Sequence, residues 1–441
     1  MRARLLALGV ASAVVLGACS NATSSAPASS TAPDASASAS EAAVVEPVEI
    51  TFQADPDQIT PAELWQGLVD KFNAENPDIR VKLILSPGSS QRDQYAKTLL
   101  QAGTFPDVAW QLSVDQFKDV LLPYDLADPI NKHQLGTENM LWSGQLLSTA
   151  PSSENWNNIF YNKKMFADAG ITSLPKTWPE FEVALEKLKA SGVTPIVLGG
   201  EWLPGFYLLA SLNNVFSESL DQCWYAKRRA GTAHFTDQGF VDAAKRMQDW
   251  LAKGYFSDGG LGNSYAEAGV AFLQGKGAMY PMGSFESGSF TATPPDGFEI
   301  GHFTTPSTDG KTHIAGNIGG GGLTVSKSTE HPAEATRFAQ WMSFSPKSLD
   351  TLLSVYGYGA NVTPLEGTFS PKYTPLQQEI VDELNDPNAT KIVGYYGAGS
   401  DCGVVPGLTP ELEKQATRIL LGDDIMTVLA DFDAYWDKNV K

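Results

Sequence analysis

Ile79, Val81, Leu83 and Leu85 fall at every second position, the period of a strand with one buried face. Just upstream the period changes: Leu64, Trp65, Leu68, Val69 and Phe72 recur on one helical face. Thr60-Pro61-Ala62-Glu63 opens that helix with capping-box spacing and Pro at the first helical position, and Asn76-Pro77 closes it. A strand over residues 49–54, a helix over 91–101 and a short strand over 107–110 complete the order strand, helix, strand, helix, strand. That order predicts an α/β domain with helices packed on a sheet. The same grammar returns downstream. Thr177 to Glu180 is a capping box before Phe181, Ala184, Leu185 and Leu188, and residues 195–198 read as a strand. Phe240, Val241, Ala244, Met247 and Leu251 stripe a helix closed by Gly254. Ser264 and Glu267 cap another, ending near Gly275, before a strand over 278–282.

The N-terminus breaks this pattern. Arg2 and Arg4, an apolar stretch over residues 5–16 and the small-residue junction Leu16-Gly17-Ala18-Cys19 follow the order of a secretory signal, too short to span a membrane. The junction resembles a bacterial lipobox, which implies a signal peptide over 1–18, acylation of Cys19 and anchoring to the outer face of the cell membrane. Apart from Asn21, Asp34 and Glu41, residues 20–43 are all Ser, Ala, Thr or Pro, so residues 19–46 read as a flexible tether. With Cys19 acylated, Cys223 and Cys402 remain as an even pair in an oxidising compartment. A disulfide is expected, two buried free thiols being the alternative.

Composition sharpens the picture in two ways. A chain of 441 residues, 42% apolar and 18% charged, can bury more than one core. The formal charge of −19 argues against a nucleic-acid partner, which needs a dense Lys/Arg footprint. Catalytic signatures are missing. His133, His234, His302, His313 and His331 are scattered, with no HExxH and no zinc-site spacing. Ser287 lacks the glycine two residues before it that a nucleophile elbow requires. Gly269 to Lys276 misses the phosphate-loop spacing, and Gly277 stands where Mg²⁺ coordination needs Ser or Thr. The run Gly319 to Gly322 leads into a strand at Leu323 to Ser326 rather than the helix of a dinucleotide fingerprint. No metal and no cofactor is expected. A carboxylate pair for glycoside hydrolysis stays open, since it depends on spatial separation.

Several stretches carry a resemblance. Phe72-Asn73-Ala74-Glu75-Asn76-Pro77-Asp78-Ile79 joins the first helix to a strand, and Ala102-Gly103-Thr104-Phe105-Pro106-Asp107-Val108 is a Gly-Thr-x-Pro-Asp turn. Ile159-Phe160-Tyr161-Asn162-Lys163-Lys164-Met165-Phe166 precedes Ala169-Gly170 and Pro175-Lys176-Thr177-Trp178-Pro179-Glu180-Phe181. Phe272-Leu273-Gln274-Gly275-Lys276-Gly277-Ala278-Met279 follows, then Gly322-Leu323-Thr324-Val325-Ser326-Lys327 and His331-Pro332-Ala333-Glu334-Ala335. In this order they resemble the extracellular solute-binding proteins, family 1, of carbohydrate ABC importers, which include maltose-binding proteins. The resemblance implies a two-lobed periplasmic-binding-protein-like α/β fold with a hinge and an interlobe cleft. Motif order places one lobe at about 47–152 plus 306–360 and the other at about 153–305 plus 361–441. It also implies a monomeric, non-enzymatic lipoprotein that captures a sugar or oligosaccharide and delivers it to permease subunits. A lipid-anchored extracellular glycoside hydrolase and a binding protein for a non-sugar solute are the alternatives. The scarcity of Lys and Arg in the candidate loops disfavours anionic ligands.

Sugar recognition needs aromatic faces against pyranose C–H faces, and amides or carboxylates for the hydroxyls. On positions matching the family's cleft loops, the resemblance points to Gln53 and Asp55 after the first strand and to Trp110, Gln111 and Asp115 after the Pro-Asp turn. Asn155 and Trp156 precede the Tyr-Asn-Lys motif. Glu201 with Trp202, Phe285 with Glu286, and Tyr395 with Tyr396 represent the other lobe. Phe285 stands in Gly283-Ser284-Phe285, where the family has Gly-Pro-Trp. Trp110 and Trp156 could equally be core residues, Asp55 and Asp115 could serve as helix caps, and the Gly319 to Gly322 run could mark close strand packing.

Overall fold

The computed structural model describes residues 46–57, 59–217, 223–292, 297–315, 322–392 and 408–440. Its strands are β1 (Val48–Ala54), β2 (Ile79–Leu85), β3 (Val108–Trp110), β4 (Ser152–Ser153), β5 (Asn158–Asn162) and β6 (Met279–Pro281). Then follow β7 (Ile300–Thr304), β8 (His313–Ala315), β9 (Leu323–Val325), β10 (Gly359–Ala360) and β11 (Thr390–Ile392). They form a sheet ordered β2-β1-β3-β9, a sheet ordered β6-β5-β7, and the pairs β8/β11 and β4/β10. Among the described residues, no helix is long and apolar enough to cross a membrane.

In the first sheet β1 runs parallel to β2 and β3, from Val48 opposite Ile79 to Ala54 opposite Leu85, and β9 runs antiparallel to β3. The helix Ala62–Glu75 crosses between β1 and β2 and buries Trp65, Leu68, Val69 and Phe72, the striped face expected of it. Each such side chain stabilises by about 1.5–3 kcal/mol when fully buried. The helix Pro332–Phe344 lies against the same sheet, with Phe338 edge-on to Phe52 and Phe72 at 5.0 and 4.9 Å. One expected detail does not form. The N-cap is Pro61 and receives no side-chain bond, because the Thr60 hydroxyl is committed to Asp57 and to Tyr356.

The second sheet is antiparallel, β5 pairing with β6 on one side and β7 on the other. Around it pack helices whose starts are legible in the sequence, since both Thr177/Glu180 and Ser264/Glu267 close full capping boxes. Residues 195–198 differ from expectation. They make only isolated bridges, Ile196 to Phe256 and to Met279, before the chain runs through Gly199 and Gly200 into the turn at Glu201 and Trp202. On the helix Gln238–Ala252 the stripe ends on Trp250 rather than Leu251, which is exposed.

Two large cores result. One surrounds the first sheet and draws on residues from Ile50 to Ala150 and from Leu323 to Val362. The other surrounds the second sheet and draws on Ile159 to Ala315 and Ile380 to Trp436. Ile314 and Ala315, expected with the first sheet, belong to the second core because β8 pairs with β11. Among the described residues, Ala315 thus still belongs to the second core, and Leu323 is in the first. Phe285 packs against both cores.

Candidate functional site

Ligands of open α/β sheets bind beyond the carboxyl ends of the strands, and the first sheet gathers several predicted residues there. Asp55 follows β1 and is buried; it accepts hydrogen bonds from Ser86 Oγ at 2.6 Å and from Arg92 Nε. Burial raises the Asp55 carboxyl, and the charge of Arg92 opposes that shift. Arg92 also donates to Gln111 at both its backbone oxygen (3.2 Å) and Oε1 (3.1 Å). Gln53 Nε2 reaches the Arg92 carbonyl at 3.4 Å. Gln111 takes a φ of 55°, an uncommon value for a residue with a side chain, and its N–H donates to Gly322 O at 2.8 Å. Gln53, Asp55 and Gln111 thus converge on Arg92, a residue the sequence does not single out because it opens a helix rather than following a strand.

Two neighbours do not join them. Trp110 is 2% exposed, its ring tilted against Trp65 at 5.3 Å, so it is a core residue of the first sheet. Asp115 is buried in the short helix Val114–Phe117, next to Asp93 and Lys97. Burial, reinforced by the charge of Asp93, pushes its carboxyl up to about 7, and its Oδ1 has no partner among the described residues.

The second group is built around a turn. Ser284 Oγ accepts from the Asn155 N–H at 2.9 Å and the Ser284 N–H donates to Asn155 O at 2.8 Å, joining the segment before β5 to the turn after β6. Asn155 is itself buried, its Nδ2 on Thr304 Oγ1, so it serves the scaffold. This join sets Trp156 against Phe285 at 5.8 Å and against Phe206 at 5.9 Å. Phe206 meets Trp202 edge-on at 5.7 Å, and Trp202 meets Tyr265 at 5.2 Å. Trp202 is held at the start of the helix Leu203–Ala210 by a rigid approach: a Cβ on Gly200 would lie 2.2 Å from Leu261 O, and Glu201 takes a φ of 54°. Glu201 is exposed and accepts from the Tyr265 N–H at 3.0 Å.

Glu286 ends the row. It is 2% exposed, accepts from Tyr265 Oη and, at 2.6 Å, from Ser289 Oγ, and burial pushes its carboxyl up to about 7. The charge of Asp57, in the loop after β1, acts on Glu286, Tyr265, Tyr356 and Tyr358 alike. Tyr356 and Tyr358 stack at 4.8 Å, and Tyr358 shares a hydrogen bond with Glu154. Trp156, Trp202 and Phe285 are half-buried and form one contiguous cluster with the buried Glu286, joined by the fully buried Phe206 and the half-buried Tyr265, and the charge of Asp57 acts on it from the loop after β1. Sequence reasoning misses Phe206 and Tyr265 because each reads locally as part of a buried helix. Tyr395, Tyr396, Cys19 and Cys402 lie outside the described residues, while Cys223 is disulfide-bonded. Among the described residues no group of His, Cys, Asp and Glu could hold a metal ion.

A family model of bacterial extracellular solute-binding proteins matches residues 56–346. A multiple sugar-binding protein of Streptococcus mutans is 25% identical over 321 residues, 70% of this chain and 74% of its own. A chitin oligosaccharide binding protein of known structure superposes with a TM-score of 0.71 at 24% identity, over 89% of this chain and 99% of that one. The solute-binding protein RafE in complex with raffinose gives 0.69 at 19% identity, over 89% and 99%. These likenesses fix the fold as two-lobed and periplasmic-binding-protein-like, as the sequence motifs imply. With the family match running from the loop after β1 through the helix Pro332–Phe344, the chain belongs to the bacterial extracellular solute-binding proteins.

Proposed function

We propose that this protein is the carbohydrate receptor of an ABC importer, capturing a sugar or oligosaccharide between its lobes and handing it to permease subunits. The observation that carries the reading is the half-buried aromatic group Tyr265, Trp202, Trp156 and Phe285, backed by the buried Phe206 and running to the buried carboxylate of Glu286. Rings of this kind offer apolar faces to pyranose C–H groups, and carboxylates take the hydroxyls. Gln53, Asp55 and Gln111, ordered by Arg92, would supply polar contacts from the opposite lobe. The Streptococcus mutans relative, a multiple sugar-binding protein, supports the same class.

In this reading residues 1–18 are a lipoprotein signal, Cys19 carries the lipid, and the Ser/Ala-rich tether holds a monomer at the outer face of the cell membrane. Residues 47–152 with 306–360 form one lobe and 153–305 with 361–441 the other, except that Ile314 and Ala315 go with the second core and Val362 with the first. Cys223 pairs with Cys402. The protein binds without catalysing a reaction. Calorimetric titration with mono- and oligosaccharides tests the function: saturable binding to at least one, with the saccharide recovered intact, is the expected result. No heat with any of them, or release of hydrolysis products, would overturn it.

A further inference from the structure

Three elements of the second lobe meet at one residue. The Tyr265 ring lies 5.2 Å from Trp202, its N–H donates to the Glu201 carboxylate at 3.0 Å, and its hydroxyl donates to Glu286. The Tyr265 backbone is itself fixed, since the Ser264/Glu267 capping box closes around the first turn of its helix. A residue so held can transmit position. Moving its ring would move Trp202, and removing its hydroxyl would leave Glu286 with Ser289 as its remaining side-chain donor among the described residues.

We propose that Tyr265 is the positioning residue of the sugar site, setting the plane of Trp202 with its ring while aiming the Glu286 carboxylate with its hydroxyl. The proposal rests on the carbohydrate reading above and deepens it, by making stacking and hydroxyl recognition depend on one side chain. The titratable groups facing Glu286 are Tyr265 from its helix, Tyr280 from β6, and Asp57 from the loop after β1. Of these, Tyr265 holds Glu286 down by a hydrogen bond, whereas burial and the Asp57 charge push it up. An ionised Glu286 is the form that accepts a sugar hydroxyl in addition to its two protein donors. Loss of the Tyr265 hydroxyl therefore raises the pH at which that acceptor is lost on acidification.

The test uses Tyr265→Phe, which keeps the ring, and Tyr265→Ala, which removes both functions. Both are titrated calorimetrically between pH 5 and 8 against raffinose, xylobiose and diacetylchitobiose. For whichever saccharide binds the wild type, Tyr265→Phe should weaken binding roughly 10-fold, as expected for loss of a hydrogen bond to a charged group. The acid limb of its affinity profile should also move to higher pH. Tyr265→Ala should weaken binding roughly 100-fold. The near-isosteric Phe variant decides the matter if the Ala variant fails to fold. Wild-type affinity with an unmoved acid limb in Tyr265→Phe overturns the positioning role while leaving the carbohydrate reading intact. Absence of binding by the wild type overturns that reading first, and the positioning role with it.

Discussion

Glu286 carries its charge at a cost that pH can expose. Its carboxyl lies at about 7 in the folded protein against an ordinary value of 4.5, burial being the main cause. The folded state thus keeps a proton that the unfolded chain has already released, so stability falls as pH rises between those two values. The loss reaches about 3.5 kcal/mol, since each tenfold difference in proton affinity between the two states is worth about 1.4 kcal/mol. Glu286→Gln should flatten that part of the stability profile in urea melts from pH 4 to 8, while parallel profiles would refute the assignment. Two tryptophans of the candidate set, Trp110 and Trp202, make a second prediction, because burial separates them. Trp110 is enclosed against Trp65, and Trp110→Ala should cost about 3–5 kcal/mol of stability. Trp202 is half-buried beside Phe206 and Tyr265, and on the proposed carbohydrate reading Trp202→Ala should instead weaken saccharide binding about 5- to 150-fold, with a small change in melting temperature. Calorimetry and thermal melts of both variants distinguish these outcomes. From sequence Trp110 stays open between core and site, because a tryptophan at a strand end has the same local pattern whether its ring turns inward or out, whereas Trp202 stands in a loop between Gly200 and Pro204.

Secondary-structure elements were legible wherever their signals are local. The boxes at Thr177 and Ser264 close as their spacing predicts, since every partner lies within one helical turn. The box at Thr60 has the same spacing and fails, because Asp57 lies just before it and Tyr356 arrives from the far end of the chain to take the hydroxyl. The end of the glycine run shows the same dependence on distant contacts. Gly322 could have met a ligand or packed closely, and the structure packs it: a Cβ there would stand 1.9 Å from Thr149 O. Its carbonyl also receives the Gln111 N–H, so this one residue seats β9 and holds the strained Gln111 that Arg92 clasps. Gly322→Ala must displace Thr149 or β9 and should destabilise by about 1–3 kcal/mol. Saccharide affinity should fall with it, because Gln111 loses its anchor. A variant as stable as the wild type in chemical denaturation would contradict that packing argument.

At the scale of the whole molecule the fold was readable and the site only half so, for one physical reason. Motif order along the chain reports which core each segment joins, but the residues that tie the site together pair across long separations. Arg92 collects Gln53, Asp55 and Gln111, and Tyr265 collects Glu201, Trp202 and Glu286. Asp57, on the first sheet's loop, acts electrostatically on Glu286 of the second lobe, and Phe285 packs against both cores. That arrangement has a mechanical consequence. If each lobe holds part of the ligand's contacts, only a closed state makes both sets, and the difference in affinity between closed and open states drives closure. Above about pH 7, where Glu286 is ionised, its charge and that of Asp57 oppose close approach, whereas a neutral polyhydroxyl ligand placed between them donates hydrogen bonds to both. Closure should therefore be ligand-driven. Small-angle scattering at saturation with a binding saccharide is expected to give a smaller radius of gyration than the ligand-free protein. Glu286→Gln removes one of the two charges and should shift the ligand-free protein toward the compact value. An unchanged radius in both experiments would mean that the lobes are already fixed, and that ligand enters by a route other than hinge opening.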